Sequence, residues 1–204
     1  ANEFIQGDLR DANFVSRVIQ FKGYEGNLKT LLKFASEKGQ FINKWRQPTV
    51  AIPYQNWQIV CQISSHNKTR IWAAFSAQID LHLKIYRPLI WGYLAKWLFA
   101  IPSGSVSLDQ NLVITGNHID KIQQLLDSDD LVESIEANIL SSTNLKIKNY
   151  PDRFAHFPDN IDQLYFQCQK IIVDLNWLNS LIDLFRSLLN RLTEIGVAYP
   201  RAVS

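Results

Sequence analysis

Several common sequence features are missing from this chain of 204 residues. It has no methionine, only two cysteines, and no apolar run of the roughly 20 residues that a membrane-spanning helix needs. Without an initiator methionine, we expect either that the first residue was removed or that the sequence belongs to a longer protein. The polar N-terminus does not resemble a secretory signal, so we expect a cytoplasmic protein, with membrane association left open.

The two cysteines, Cys61 and Cys168, each lie in a strand-like alternation of apolar residues. This pattern favours two reduced thiols that face a core over a disulfide. Burial in apolar surroundings also raises a thiol pKa and lowers its reactivity, so neither cysteine is predicted to be a nucleophile.

The chain also lacks a large net charge of either sign. The chain has 21 basic and 19 acidic residues, a formal net charge of +2, and its basic residues are scattered along the sequence. We therefore predict no nucleic-acid partner. Its 47% hydrophobic content is that of an ordinary globular protein. The length suits one α+β domain over residues 1–204, with a helical part at 1–45 and a sheet with helices at 49–204.

Motifs for common catalytic and metal sites are absent. No CxxC, HExxH, GxSxG, GxGxxG or Walker-type loop occurs. The four histidines are His66, His82, His118 and His156. They are far apart in the predicted elements, which favours solvated or locally bonded rings over zinc ligands. The sequence therefore predicts no catalytic residue, no cofactor and no metal, and an enzyme is the less favoured class.

An acidic cluster at Asp127, Asp129 and Asp130 could suggest a bound cation. Carboxylates at the start of a helix are, however, favoured by its free N–H groups and its dipole. Asp130 and Glu133 also have the spacing of a capping box. We predict that these residues cap a helix.

Alternation with period two predicts the strands. Residues 57–63 and 71–79 alternate and continue at 81–85, which predicts two or three antiparallel strands joined by short turns, the first turn at 64–69. Further strands are predicted at 108–115, 145–147 and 164–168, whereas 41–53 contains two prolines and is typical of irregular or edge structure.

Helical spacing occurs at 8–21, 27–39, 117–139 and, most strongly, 174–196. The last stretch has apolar residues three and four apart: Leu178, Leu181, Ile182, Phe185, Leu188, Leu189, Leu192 and Ile195. Asp174 can cap its start, and Gly196 can end it. Its wide apolar face needs a broad partner surface. The fold prediction is α+β, with a single antiparallel sheet of about five or six strands covered by this long C-terminal helix, and with N-terminal helices.

The most apolar segment is 88–101, and its single charged residue is Lys96. It is too short to cross a bilayer and predicts an interfacial or half-buried helix. A helix that covers one end of the sheet is the commoner outcome for such a segment. The other interpretation is docking to a membrane surface or a partner's groove, through these residues: Leu89, Ile90, Trp91, Tyr93, Trp97 and Leu98.

Five short motifs resemble those of an uncharacterised family of bacterial domains of unknown function. They lie at 57–59, 81–87, 112–122, 163–166 and 195–199, and include the turn Gly116-Asn117. The resemblance implies the same strands and helices, and it implies no activity. The family's stretch after Arg87 is usually more polar, so the apolar character of 88–101 here strengthens the docking interpretation.

The leading hypothesis is a non-enzymatic binding or accessory module that docks on a membrane surface or in a protein assembly through 88–101. A protein partner or self-association as a homo-oligomer is left open. The alternative is a small-molecule-binding domain or a weakly marked enzyme, with a cavity between the sheet and the long helix.

Overall fold

The structure is a computed structural model that describes residues 33–35, 37–44, 47–64, 67–88, 100–149 and 160–199. After helical residues at 33–35 and 37–38, the elements are β1 (Gln40–Lys44), β2 (Gln47–Tyr54), β3 (Trp57–Ile63), β4 (Thr69–Ser76), β5 (Leu83–Tyr86), α1 (Val106–Asn111), β6 (Val113–Gly116), α2 (Ile119–Leu126), α3 (Asp129–Asn138), β7 (Thr143–Asn149), β8 (Ile161–Cys168) and α4 (Leu175–Glu194). The predicted helix at 8–21 and most of that at 27–39 lie outside the described residues. That 1–204 forms one domain stays a prediction.

All eight strands belong to one antiparallel sheet, in the order β1-β2-β3-β4-β8-β7-β5-β6. This confirms the α+β class and the single sheet, although the sheet has eight strands where about five or six were expected. The additional strands are β1 and β2, in the stretch expected to be irregular or an edge. Pro48 and Pro53 hide the alternation of β2, whose Val50 and Ile52 are buried.

One predicted strand is partly helical. Residues 106–111 form α1, and only 113–116 form a strand, so the prediction of a strand over 108–115 was wrong in its first half. The carboxylate of Asp109 accepts hydrogen bonds from the N–H of Ser103 at 2.9 Å and from its hydroxyl at 2.8 Å. These bonds, together with the burial of Leu108, favour the helical turn.

Strands β4 and β5 follow each other in the chain but do not pair. β4 pairs with β8, and β5 lies between β7 and β6. The segment 77–82, which we call the crossover, therefore connects strands that are separated by two others. The sequence pattern correctly predicted β3 and β4 as an antiparallel pair with a turn at 64–69, but it wrongly suggested that 81–85 extends this hairpin.

The long helix α4 is confirmed. The Asp174 carboxylate accepts a hydrogen bond from the N–H of Asn176 at 2.8 Å, and Gly196 has a φ of +70°. All of its predicted apolar residues except the half-buried Ile195 are buried, and Leu184 is buried with them. They form one core with the helix-facing side of the sheet. The described helices include none that is both long enough and apolar enough to cross a membrane.

Both thiols face this core, as predicted. Cys61 and Cys168 are buried and unpaired. Burial raises the pKa of the Cys61 thiol to about 12 and also raises the pKa of Cys168. The described structure thus supports two structural thiols in place of a disulfide.

Candidate functional site

The predicted docking segment lies mostly outside the described residues, and all six residues singled out in it fall there: Leu89, Ile90, Trp91, Tyr93, Trp97 and Leu98. The residues on either side are described. On the N-terminal side, the Arg87 side chain donates from Nε to the carbonyl of Ile139 at 3.3 Å. On the C-terminal side, the N–H of Ile101 donates to the carbonyl of Ile114 in β6 at 2.8 Å. Both flanks of the segment are therefore attached near the β5–β6 edge of the sheet.

The sheet has a second face, which alternates with the core face along each strand. We call it the polar face. Strand register places these residues on it: Arg70, Trp72, Lys84, Tyr86, Asn144, Lys146, Lys148, Gln163, Tyr165 and Gln167. Of them, Lys84 is exposed, Gln163 is buried, and the others with a described burial are half-buried. Asp162 is the one acidic residue in the eight described strands, and its register places it on the opposite face. The polar face is therefore basic.

At the centre of this basic region, two lysines lie directly opposite each other. Lys84 of β5 pairs with Lys146 of β7, and Lys146 in turn lies opposite Tyr165 of β8. Directly opposed residues have Cβ atoms about 4.5–5.5 Å apart, and like charges at such positions are destabilising. Desolvation by burial, and next the charge of Lys84, lower the pKa of Lys146. Within the described residues, neither lysine forms a salt bridge.

Aromatic rings lie beside lysines of the polar face. The Lys84 ammonium lies 4.4 Å from the centroid of the Tyr86 ring, and the Lys148 ammonium lies 5.9 Å from that of Tyr165. Trp72 is opposite Tyr165 in the neighbouring strand. Such cation–π contacts stabilise ammonium groups without neutralising them. The arrangement can therefore attract an anionic group.

Sequence reasoning missed this face. It found basic residues to be scattered, which is true along the chain, but the pairing of β5 with β7 brings Lys84 and Lys146 together. A partial signal was present, since Lys146 and Lys148 alternate with apolar residues in β7. The strand pairing that completes the face is not visible in local sequence.

A second polar cluster holds the crossover. The Asn117 side chain accepts from the N–H of His82 at 2.7 Å and donates to the carbonyl of Asp80 at 2.7 Å. The side chain of His82 lies 3.2 Å from the Asp80 carboxylate, and both are exposed. Asn117 was expected to open the helix α2. It instead fastens the crossover, and His118 takes the N-cap position.

The carboxyl group of Asp162 interacts electrostatically with Asp80 and His82 of this cluster. The residue is 2% exposed, and its Oδ2 has no hydrogen-bond partner among the described residues. Burial, and next the negative charge of Asp80, raise the pKa of Asp162 to about 6, while His82 acts in the opposite direction. The described residues contain no group of three His, Cys, Asp or Glu side chains that could hold a metal ion.

We expect Asp162 to make stability depend on pH. Its folded-state pKa lies above the value of about 3.9 in an unfolded chain. Between roughly pH 4 and 6 the folded protein keeps a proton that the unfolded chain has lost, so stability falls as the pH rises through this window. Asp162→Asn should be about 1–2 kcal/mol more stable than the wild type above pH 7, allowing for screening by water, and equal to it near pH 4.

Thermal unfolding followed by circular dichroism across this pH range tests the expectation. Asp183→Asn is a matched control, because Asp183 is exposed and pairs with Arg186 on the surface of α4. A stability difference between Asp162→Asn and the wild type that does not vary with pH would contradict the role assigned to the buried carboxyl.

The other predicted polar residues have ordinary positions. His118 is exposed, whereas His66 and His156 lie outside the described residues. Asp129 and Asp130 lie in the first turn of α3, which confirms that they sit at a helix start. The predicted capping box is not formed, because Ser128 and not Asp130 occupies the N-cap position and makes no side-chain cap bond. The acidic residues can still interact favourably with the helix dipole.

Polar and aromatic side chains also meet where α4 crosses the β2–β3 hairpin. The Tyr54 hydroxyl donates to the side-chain oxygen of Asn190 at 3.0 Å, and the Arg186 guanidinium lies 5.4 Å from the Tyr54 ring centroid. Trp57 stacks on Tyr54, and within the described part of the chain its buried Nε1 has no hydrogen-bond partner. A small-molecule site between the sheet and the long helix would have its polar contacts here.

No protein-family model matches the chain, and no curated protein matches its sequence, which is consistent with the resemblance to an uncharacterised family. A solved structure is similar in fold: the crystal structure of the mycobacterial trehalose monomycolate transport factor A, TtfA. The similarity covers 86% of this chain and 99% of that chain, with 8% sequence identity and a TM-score of 0.52. At this identity, the likeness shows that the two proteins share a fold.

Proposed function

We propose that the protein is a non-enzymatic binding or accessory module that docks on a membrane surface through the segment 88–101. The observation that carries the proposal is the composition of this segment, in which Trp91, Tyr93 and Trp97 accompany aliphatic residues around a single lysine. Tryptophan and tyrosine rings are favoured at the boundary between headgroups and acyl chains. The structural neighbour TtfA is a transport factor, and an accessory role for this chain agrees with that likeness.

The core of the described structure supports this choice of segment. The apolar face of α4 is buried within the chain, so it is not free to receive a partner. The exposed large apolar residues of the described part come from separate stretches of the chain: Val106, Ile119, Leu140, Val173 and Tyr199. Neither feature concentrates apolar residues in one continuous stretch of sequence as 88–101 does.

Flotation with liposomes tests the proposal. We expect the wild type to float with phospholipid vesicles, and we expect Trp91→Ala combined with Trp97→Ala to lower the affinity for the vesicles, measured by lipid titration, about tenfold or more. Two interfacial rings together contribute at least the roughly 1.4 kcal/mol that corresponds to a factor of ten. Tyr199→Ala is the matched control, because Tyr199 is an exposed aromatic residue outside the segment.

Other outcomes would overturn the proposal. A strict monomer that stays in the protein fraction, with 88–101 protected from hydrogen exchange, would show that the segment covers the sheet. Dimerisation abolished by the double variant would show that the segment serves self-association. A copurified small molecule in native mass spectrometry, without vesicle binding, would favour the alternative of a small-molecule site near Tyr54 and Arg186.

A further inference from the structure

The opposed lysines of the polar face are an unusual feature of this sheet. Lys84 and Lys146 occupy directly paired positions, yet the described residues supply no carboxylate to either. The partial desolvation of Lys146 adds to the unfavourable interaction, as the lowered pKa of its ammonium group shows. An anion bound between the two ammonium groups would relieve both effects.

The surroundings of the pair are suited to such an anion. Tyr86 supports Lys84 from the same strand, and Tyr165 lies beside Lys146 in β8. Asp162, the acidic residue of the eight described strands, lies on the other face, so no strand carboxylate competes for the lysines. Two cations bordered by tyrosine rings, with no carboxylate on their face of the described strands, complement a phosphate group in charge.

The chain connectivity indicates which phosphate-bearing partner this is. Strand β5 carries Lys84 and Tyr86 and leads two residues later, at Pro88, into the apolar segment 88–101. The segment returns at Ile101 beside β6, the hydrogen-bonded neighbour of β5. Lys84 and Tyr86 are therefore close along the chain to the apolar segment. Stable attachment to a membrane commonly combines an apolar anchor with a basic patch, whereas a soluble phosphate needs no apolar neighbour.

We infer that the polar face binds the phosphate groups of anionic lipid headgroups, with Lys84 and Lys146 as the central pair. This inference rests on the proposed function: the segment 88–101 supplies apolar contact with the bilayer, and the lysine pair supplies preference for anionic lipid. The two contributions respond differently to lipid charge and to salt, which makes them separable by experiment.

The test compares vesicles of phosphatidylcholine with vesicles that also contain phosphatidylglycerol. Neutralising the pair by Lys84→Gln with Lys146→Gln should lower affinity for the anionic vesicles about tenfold or more, and it should leave binding to neutral vesicles unchanged. Added salt should remove the same preference from the wild type. Lys38→Gln with Lys68→Gln is the matched control, because it removes two charges outside the strands.

Thermal unfolding provides a second measurement. Because the substitutions remove a like-charge contact, the double variant should have an unfolding temperature equal to or above that of the wild type. Inorganic phosphate should raise the unfolding temperature of the wild type more than that of the double variant. If the double variant does not fold, the single variant Lys84→Gln can be used, because Lys84 is exposed. It should likewise lose affinity for anionic vesicles and stabilisation by inorganic phosphate.

The results that would contradict this inference differ from those that would contradict the proposed function. Equal binding of anionic vesicles by the double variant and the control would overturn this inference and leave the docking role of 88–101 in place. A wild type that responds to inorganic phosphate but binds no vesicle would overturn both the lipid assignment and the proposed function. Preference for a single-stranded oligonucleotide over anionic vesicles would also overturn the lipid assignment.

Discussion

Phe185→Ala is expected to lower the free energy of unfolding by about 3–5 kcal/mol. Phe185 is fully buried at the centre of α4, with Leu181, Leu188 and Leu189 buried on the same helix. Removing the ring takes apolar surface out of the core and leaves a cavity that the packed neighbours can only partly fill. Urea unfolding followed by circular dichroism measures the change, and the m-value should stay constant if the native and unfolded states keep their compactness.

A matched substitution on the same helix distinguishes the loss of core packing from a general effect of alanine substitution on the stability of α4. Asp183→Ala removes an exposed residue two positions away and should change stability by less than about 0.5 kcal/mol. If Phe185→Ala costs less than about 1 kcal/mol, this helix face does not form the core in solution, and it would then be available to a partner molecule.

The contrast between α4 and the strands shows which structural information is local. Helix α4 has its capping aspartate, its terminal glycine and its apolar periodicity within one continuous stretch, so the sequence predicted it closely. The β3–β4 hairpin is equally local, because the turn at 64–69 joins the strands that pair. In β2, by contrast, Pro48 and Pro53 obscure the alternation, and pairing on both sides maintains the strand.

The candidate site depends on contacts that are distant in sequence. Lys84 and Lys146 are brought together only because β5 enters the sheet between β7 and β6. A local alternation pattern shows that each lysine faces away from the core, but it cannot show which strand lies beside which. The same limit applies to Asp162, whose pKa is raised first by burial and next by the charge of the crossover residue Asp80, while His82 acts in the opposite direction. Local pattern therefore predicts which residues are polar and exposed, and topology decides which of them act together.

The crossover explains why this topology is stable despite its separated strands. It is fixed on one side by Asn117 and on the other by the C-terminal segment, where the N–H of Gln78 donates to the carbonyl of Val197 at 2.7 Å. Ala77 also forms a β-bridge with Ala198. The chain that follows α4 thus holds the connection between the two halves of the sheet, and β5 is placed where Lys84 meets Lys146.

Gly116→Ala is expected to destabilise the protein by about 3 kcal/mol, because it would disturb this connection. A Cβ at Gly116 would lie 2.2 Å from the carbonyl oxygen of His82 and 2.5 Å from Cδ1 of Ile122. Glycine was expected here for a permissive turn, but its φ is not in the left-handed region, and close approach of the crossover is the actual requirement. Moving His82 away would also weaken its bonds to Asn117.

Gly104→Ala is the informative control. Gly104 has a φ of +91°, and no atom of the described residues lies within 4 Å of an added Cβ, so the substitution introduces backbone strain without a clash there. It should cost only about 1 kcal/mol. A loss for Gly116→Ala no greater than that for Gly104→Ala would show that the crossover can move away from β6 at little cost. In that case the position of β5, and with it the lysine pair, would not be rigidly determined, and the polar face would have to be assembled by its ligand.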